Sequence, residues 1–163
     1  MIKSNLKKFL IYSSIIILIF LLDRVSKIYI LNLAETSSSV DIYVNSFLNL
    51  YLIWNKGIAF GLFSFEENLI YHLITTLIII ITFIIIFIII KTNDYRAYFL
   101  AFILGGSYGN LFDRIYYSSV PDFIDFHIND FHWFIFNVAD IFITIGVFCL
   151  IFVEIFYKKN VNK

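Results

Sequence analysis

Long apolar runs alternate with two polar stretches along this chain. Isoleucine, leucine and phenylalanine dominate residues 9–30, 69–90, 95–112 and 138–156. Each run approaches or exceeds the roughly 17–25 residues that a helix needs to cross a bilayer core. The pattern predicts an α-helical integral membrane protein, one domain over residues 1–163, with four transmembrane helices joined through loops at 31–68 and 113–137. The second run is rich in isoleucine and carries His72 near one end, which reads as an interfacial polar tip on a scaffolding helix. The third run differs. Ala101, Gly105 and Gly109 recur every four residues, a spacing that lets a neighbouring helix approach closely.

The first loop is too long for a plain connection and should hold structure of its own. Ser37-Ser38-Ser39 makes a turn-like break, and residues 41–54 are rich in strand formers. Asn55-Lys56-Gly57 then reads as a hairpin loop with Gly57 free to take positive φ, and Ile58 to Phe63 as the returning strand. Apolar residues occupy both faces, so this outward-facing β-hairpin would form a cradle resting on lipid or a lipid-like ligand. In the second loop Pro121 suits the first position of a short outer helix, which would carry Asp122 in its first turn. Asn137 is a good N-cap for the last helix, with Asp140 at its third position.

Composition strengthens the membrane reading: 61% of the 163 residues are hydrophobic and 20% aromatic, well above the half-apolar norm of soluble domains. The zero formal net charge conceals an asymmetry. Lys3, Lys7 and Lys8 precede the first run, Lys91 and Arg96 separate the second and third, and Lys158, Lys159 and Lys163 follow the fourth. By the positive-inside rule both termini are cytoplasmic and the two long loops face outward. The first run passes into Asp23-Arg24-Val25-Ser26-Lys27 without a small-x-small cleavage site, so it reads as a retained helix. Cys149 is the only cysteine; it excludes an intrachain disulfide and reads as an apolar filler.

Most of the polar chemistry lies between Gly105 and Asp140: Asn110, Asp113, Arg114, Asp122, Asp125, Asn137 and Asp140. Such groups are costly in lipid and mark a working site by default. Asp23 and Lys27 are four residues apart, pair on one helix face, and would orient that site or meet a substrate. Asp122 and Asp140 could each merely serve a helix terminus, but together, in a chain with few charges, they favour chemistry. Two carboxylates held close cannot both ionise comfortably and share a proton. One can deprotonate a water, while the other polarises a carbonyl and later protonates a leaving amine. Other chemistries lack residues. There is no glycine-rich phosphate cradle and no basic stripe for nucleic acid. His127 and His132 are not at H-E-x-x-H spacing, so no metal or other cofactor is expected. A proton-coupled transporter using Asp23, Asp122 and Asp140 is the competing reading. It would need ionisable groups at several depths, and the second to fourth runs have none near their middle.

Five pieces of sequence carry a resemblance. They are Asp23-Arg24-x-x-Lys27, Asn55-x-Gly57-x-Ala59-Phe60, Gly105-Gly106-x-x-Gly109-Asn110-x-x-Asp113-Arg114, Val120-x-Asp122-Phe123-Ile124-Asp125 and Phe136-Asn137-x-Ala139-Asp140. In this order they make the chain resemble the bacterial lipoprotein signal peptidases (type II signal peptidases) along nearly its whole length. The resemblance implies a cell-membrane aspartyl endopeptidase with Asp122 and Asp140 as the catalytic pair and its active site at the outer face. Asp23, Asn55, Asn110, Asp113, Arg114, Asn137 and Ala139 match supporting positions, and Lys27 and Gly57 belong to the same motifs. The implied partners are membrane phospholipid and a prolipoprotein carrying diacylglycerol on the cysteine after the cleavage site; oligomeric state stays open, and a monomer is compatible with it. The chain departs from the family at Ser118 (usually glycine), Pro121 (usually β-branched), Trp133-Phe134 (commonly Phe-Pro) and Ile58 (alanine), which bears on loop geometry and removes no reactive group.

The charge pattern predicts that a cysteine introduced at residue 94 escapes a membrane-impermeant thiol reagent applied outside the cell. External labelling there would overturn the topology.

Overall fold

The computed structural model describes residues 2–37, 39–57, 68–129 and 131–161. Helix α1 (Ile2–Ser37) leads into strands β1 (Asp41–Asn45) and β2 (Leu48–Asn55). Helices α2 (Asn68–Lys91) and α3 (Arg96–Tyr117) follow, then β3 (Val120–Ile128), β4 (Phe131–Phe136) and α4 (Val138–Val161). The expected four helices are therefore present, each longer than or extended beyond its apolar run. Among the described residues three of them, over Leu6–Ser37, Tyr71–Lys91 and Val138–Phe156, are long and apolar enough to cross a membrane.

Helix α3 is the exception for a physical reason. Its 22 residues reach about 33 Å, but Gly, Ser, Asn, Asp and Arg lower its hydropathy. It packs against α1, α2 and α4, so it is shielded by the helices whose outer faces carry Phe9, Leu18, Phe83, Phe87, Phe148 and Phe152. The close approach predicted from its small residues is real. A Cβ at Gly106 would stand 2.5 Å from the Ala139 carbonyl oxygen, and one at Gly105 2.8 Å from the Ile19 Cβ. Ala97, Leu100, Ala101, Ile103 and Leu104 complete the apolar core beneath α2, with Ile85 and Ile89.

The outer layer differs from the sequence reading. It is one antiparallel sheet in the order β1-β2-β3-β4. Residues 41–54 are not one strand, because the chain reverses at Ser46-Phe47, where the Asn45 side chain accepts a hydrogen bond from the Phe47 amide at 2.9 Å. That side-chain-to-backbone bond stands in for a turn of the backbone itself. The 55–57 segment follows β2, and the returning strand expected at 58–63 lies outside the described residues. The short outer helix at Pro121 is also corrected, since residues 120–128 form β3. Pro121 pairs opposite Trp54 near the strand's start, where the missing N–H disturbs the ladder least. Helix α3 stops at Ser118, which holds φ 56. This left-handed conformation favours glycine, and it explains why the change from glycine at this position is a loop-geometry matter.

Gly106→Ala is expected to destabilise the protein by about 1–3 kcal/mol, as overpacking against rigid backbone does, with Ser107→Ala as control. Thermal unfolding in detergent reads the difference, and equal midpoints for the two would refute the close α3–α4 contact.

Candidate active site

Four polar side chains from two helices meet first. Lys27 on α1 is fully buried and donates to Asp23 (3.0 Å), to Asn110 (2.9 Å) and to Asp113 (2.6 Å) on α3. Arg24 adds a second cation, 2.9 Å from Asp23 and 2.6 Å from Asp113. The pairing of Asp23 with Lys27 expected at four-residue spacing is thus present, but it is one edge of a larger cluster. Gly109 makes room for it, because a Cβ there would overlap the Asp23 carboxylate.

From this cluster the network runs to the two aspartates. Asp23 Oδ1, itself 2.9 Å from the Lys27 ammonium, also accepts the backbone N–H of Ala139 at 3.1 Å, tying α1 to the start of α4. Asn110 donates to Asp140 at 2.8 Å. Asn137 and Asp140 cap the helix reciprocally: the Asp140 amide donates to the Asn137 side chain and the Asn137 amide to Asp140, both at 3.2 Å. This is the N-cap relation read from their spacing. Asn137 does more, since its side-chain amide donates to Asp122 at 2.5 Å. One residue therefore holds both carboxylates.

On its other oxygen Asp122 accepts from Asn55 at 2.8 Å. Asn55 in turn accepts the Gly57 amide at 2.8 Å, and the Arg114 guanidinium donates to the Gly57 carbonyl. Burial and the facing Asp140 push the Asp122 carboxyl up to about 7, against the pull of Asn55, Asn137 and the Lys27 charge. The eleven residues matched by the resemblance, Asp23, Lys27, Asn55, Gly57, Asn110, Asp113, Arg114, Asp122, Asn137, Ala139 and Asp140, join one connected system.

Nearly the whole chain has relatives. A family model described as signal peptidase (SPase) II matches residues 15–156. The chain belongs to the signal peptidase II family. It is 59% identical over 158 residues to a lipoprotein signal peptidase of Pelagibacter ubique, covering 97% of this chain and 95% of that one. It is 40% identical over 162 residues to one of Sulfurihydrogenibium sp., covering 94% and 96%. A solved bacterial membrane enzyme, determined by the in meso method at 2.3 Å resolution, superposes with a TM-score of 0.68 at 26% identity, covering 93% of this chain and 90% of that one. As a member of a peptidase family with apolar spanning-length helices, the chain is a membrane protease.

Sequence reasoning missed some of what surrounds this signal peptidase II site. Tyr71 lies in the run read as scaffold, yet its hydroxyl donates to the Arg114 carbonyl at 2.7 Å and its ring lies under the guanidinium. Arg24 was visible in its motif but not as a ligand of Asp113. Asp125 stands outside the network and pairs instead with His132 at 2.9 Å, with His127 beside them. Five-residue spacing across a tight hairpin puts two histidines opposite one another, a signal that a search at helical spacing overlooks.

Lys27→Met would leave Asp23 and Asp113 buried with one cation fewer. Breaking a buried pair in this way destabilises by about 3–5 kcal/mol, so the variant should unfold well below wild type in detergent, with Lys27→Arg intermediate. An unchanged midpoint for Lys27→Met would show that the cluster is not a structural requirement.

Proposed function

We propose that this signal peptidase II is an aspartyl endopeptidase that removes the signal peptide from diacylglyceryl-modified prolipoproteins, cutting just before the lipidated cysteine. The names of its relatives supply the substrate class. The observation that carries the mechanism is that Asn137 holds Asp122 and Asp140 in one hydrogen-bond system.

Charge supports the same reading. Arg24, Lys27 and Arg114 are buried with Asp23, Asp113, Asp122 and Asp140. A retained proton on the Asp122–Asp140 pair makes that set neutral, and buried charge is tolerated only when compensated. In the reaction the ionised carboxylate takes a proton from water as its oxygen bonds to the scissile carbonyl carbon. The protonated partner stabilises the developing oxyanion. Collapse then breaks the C–N bond, and the departing amine takes its proton from the pair. Asn55 and Asn137 orient Asp122, and Asn110 orients Asp140.

Four spanning helices are part of this reading, with α3 crossing in the shelter of the other three, both termini cytoplasmic, and the sheet at the outer surface of the cell membrane. Tyr43, Phe47, Tyr51, Trp54, Phe126, Phe131 and Phe134 on the sheet are exposed. Such an apolar surface suits the substrate's acyl chains and surrounding phospholipid. One copy of the chain supplies every residue of the mechanism.

Asp122→Asn and Asp140→Asn are each expected to abolish cleavage of lipidated prolipoprotein while the protein stays folded. The double variant should be no worse, because residues of one catalytic unit are not additive. The alkaline limb of kcat/KM should fall near pH 7, where the pair gives up its proton. Asp122 is raised above its unfolded value of 3.8, so the folded protein holds the extra proton between 3.8 and about 7. Stability therefore declines as pH rises through that window, and Asp122→Asn should flatten the decline. Substantial turnover by either single variant would end the pair mechanism.

A further inference from the structure

Outside the aspartate pair, the β3–β4 hairpin assembles a second group of potential ligands. Asp125, His127 and His132 each offer a donor atom, and these atoms all lie within 4.8 Å of one another. The register creates the group: His127 pairs opposite His132, and Asp125, across a register irregularity on the same strand, reaches the His132 ring at 2.9 Å. The imidazoles lie nearly parallel, with planes 24° apart and centroids 5.1 Å apart.

An ordinary hydrogen bond accounts for only part of this. His132 Nδ1 stands 2.9 Å from Asp125 Oδ2 and makes such a bond. His127 does not. It is 91% buried (relative exposure 9%), its Nδ1 has no hydrogen-bond partner among the described residues, and it faces the same carboxylate oxygen at 3.9 Å. That is too long for a hydrogen bond. A buried, unpartnered imidazole nitrogen is costly unless something satisfies it. In a tetrahedral zinc site with bonds near 2.0–2.1 Å, two ligand atoms are about 3.3 Å apart. The separations of 2.9 and 3.9 Å bracket that value, and all three donor atoms lie within 4.8 Å of one another, so side-chain shifts on the order of an ångström would complete it.

We propose that Asp125, His127 and His132 form a divalent transition-metal site, with Zn2+ as its ion. Two neutral imidazoles and a carboxylate are donors that zinc accepts, with a fourth position open to water. His132 is 56% exposed at its side chain and gives the ion a way in from solvent. The site is separate from the reacting carboxylates. Bound zinc would clamp β4 to β3 three residues along the strand from Asp122 and so brace the sheet that carries it.

The test is equilibrium dialysis of the detergent-purified, chelator-stripped protein against Zn2+, on a Cys149→Ser background to remove the thiol as a competing ligand. About one Zn2+ per chain is expected, with affinity falling about tenfold or more in both His132→Ala and His127→Ala, as loss of a ligand should cause at least what loss of a supporting contact does. Co2+ supplies a second readout. Visible d–d absorption of a tetrahedral complex should appear in wild type and vanish in His132→Ala, whose exposed position keeps folding out of question. Zinc affinity unchanged in both variants would overturn the site, as would binding no greater than that of a buffer blank.

Discussion

Charge buried away from water has to be compensated where it lies, and in this protein that condition spans the fold. Lys27 satisfies it for Asp23, Asn110 and Asp113 at once, so α1 and α3 are held at a single separation and rotation. The apolar faces of these helices could slide with little change in energy, since lipid is as apolar as they are. The polar cluster removes that freedom. Gly109 belongs to the same condition, because only a residue without a side chain lets the Asp23 carboxylate lie against α3. Asp23 then passes the constraint on to α4 through the Ala139 amide.

The two aspartates are held by a different principle. Among the described residues neither is paired with a cation by hydrogen bond; both are grasped by amides, from Asn55, Asn110 and Asn137. Neutral donors fix a carboxylate's direction without locking in its charge, which leaves the proton exchangeable. The arrangement thus separates an ion-paired cluster around Lys27, which ties α1 to α3, from a pair of carboxylates held by neutral amides.

Much of this was legible in the sequence, for reasons that also mark where legibility stopped. The apolar runs are longer than any alternative to a helix allows, so the helices were plain. Asn137 and Asp140 were open to a capping or a chemical reading, and the structure shows the cap, which also sets the direction of the Asp140 carboxylate. The sheet was harder. Residues 41–54 are apolar on both faces and show no alternation to betray the reversal at Ser46-Phe47. Pro121 fits a helix start as well as a strand start, and only the pairing with β2 decides between them. That pairing joins Asn55 to Asp122 across 67 residues, beyond the reach of local signals. Asp125, His127 and His132 were individually visible, but their meeting depends on a hairpin register that no spacing rule for helices could supply.

The bond between Asp23 and Ala139 closes a loop of 116 residues, joining the first helix to the last. No partial chain can contain the complete constellation: a molecule that stops after α3 has the ion cluster but neither Asn137 nor Asp140. The connected polar system therefore closes only when the final helix takes its place, so the last segment made completes what the first began.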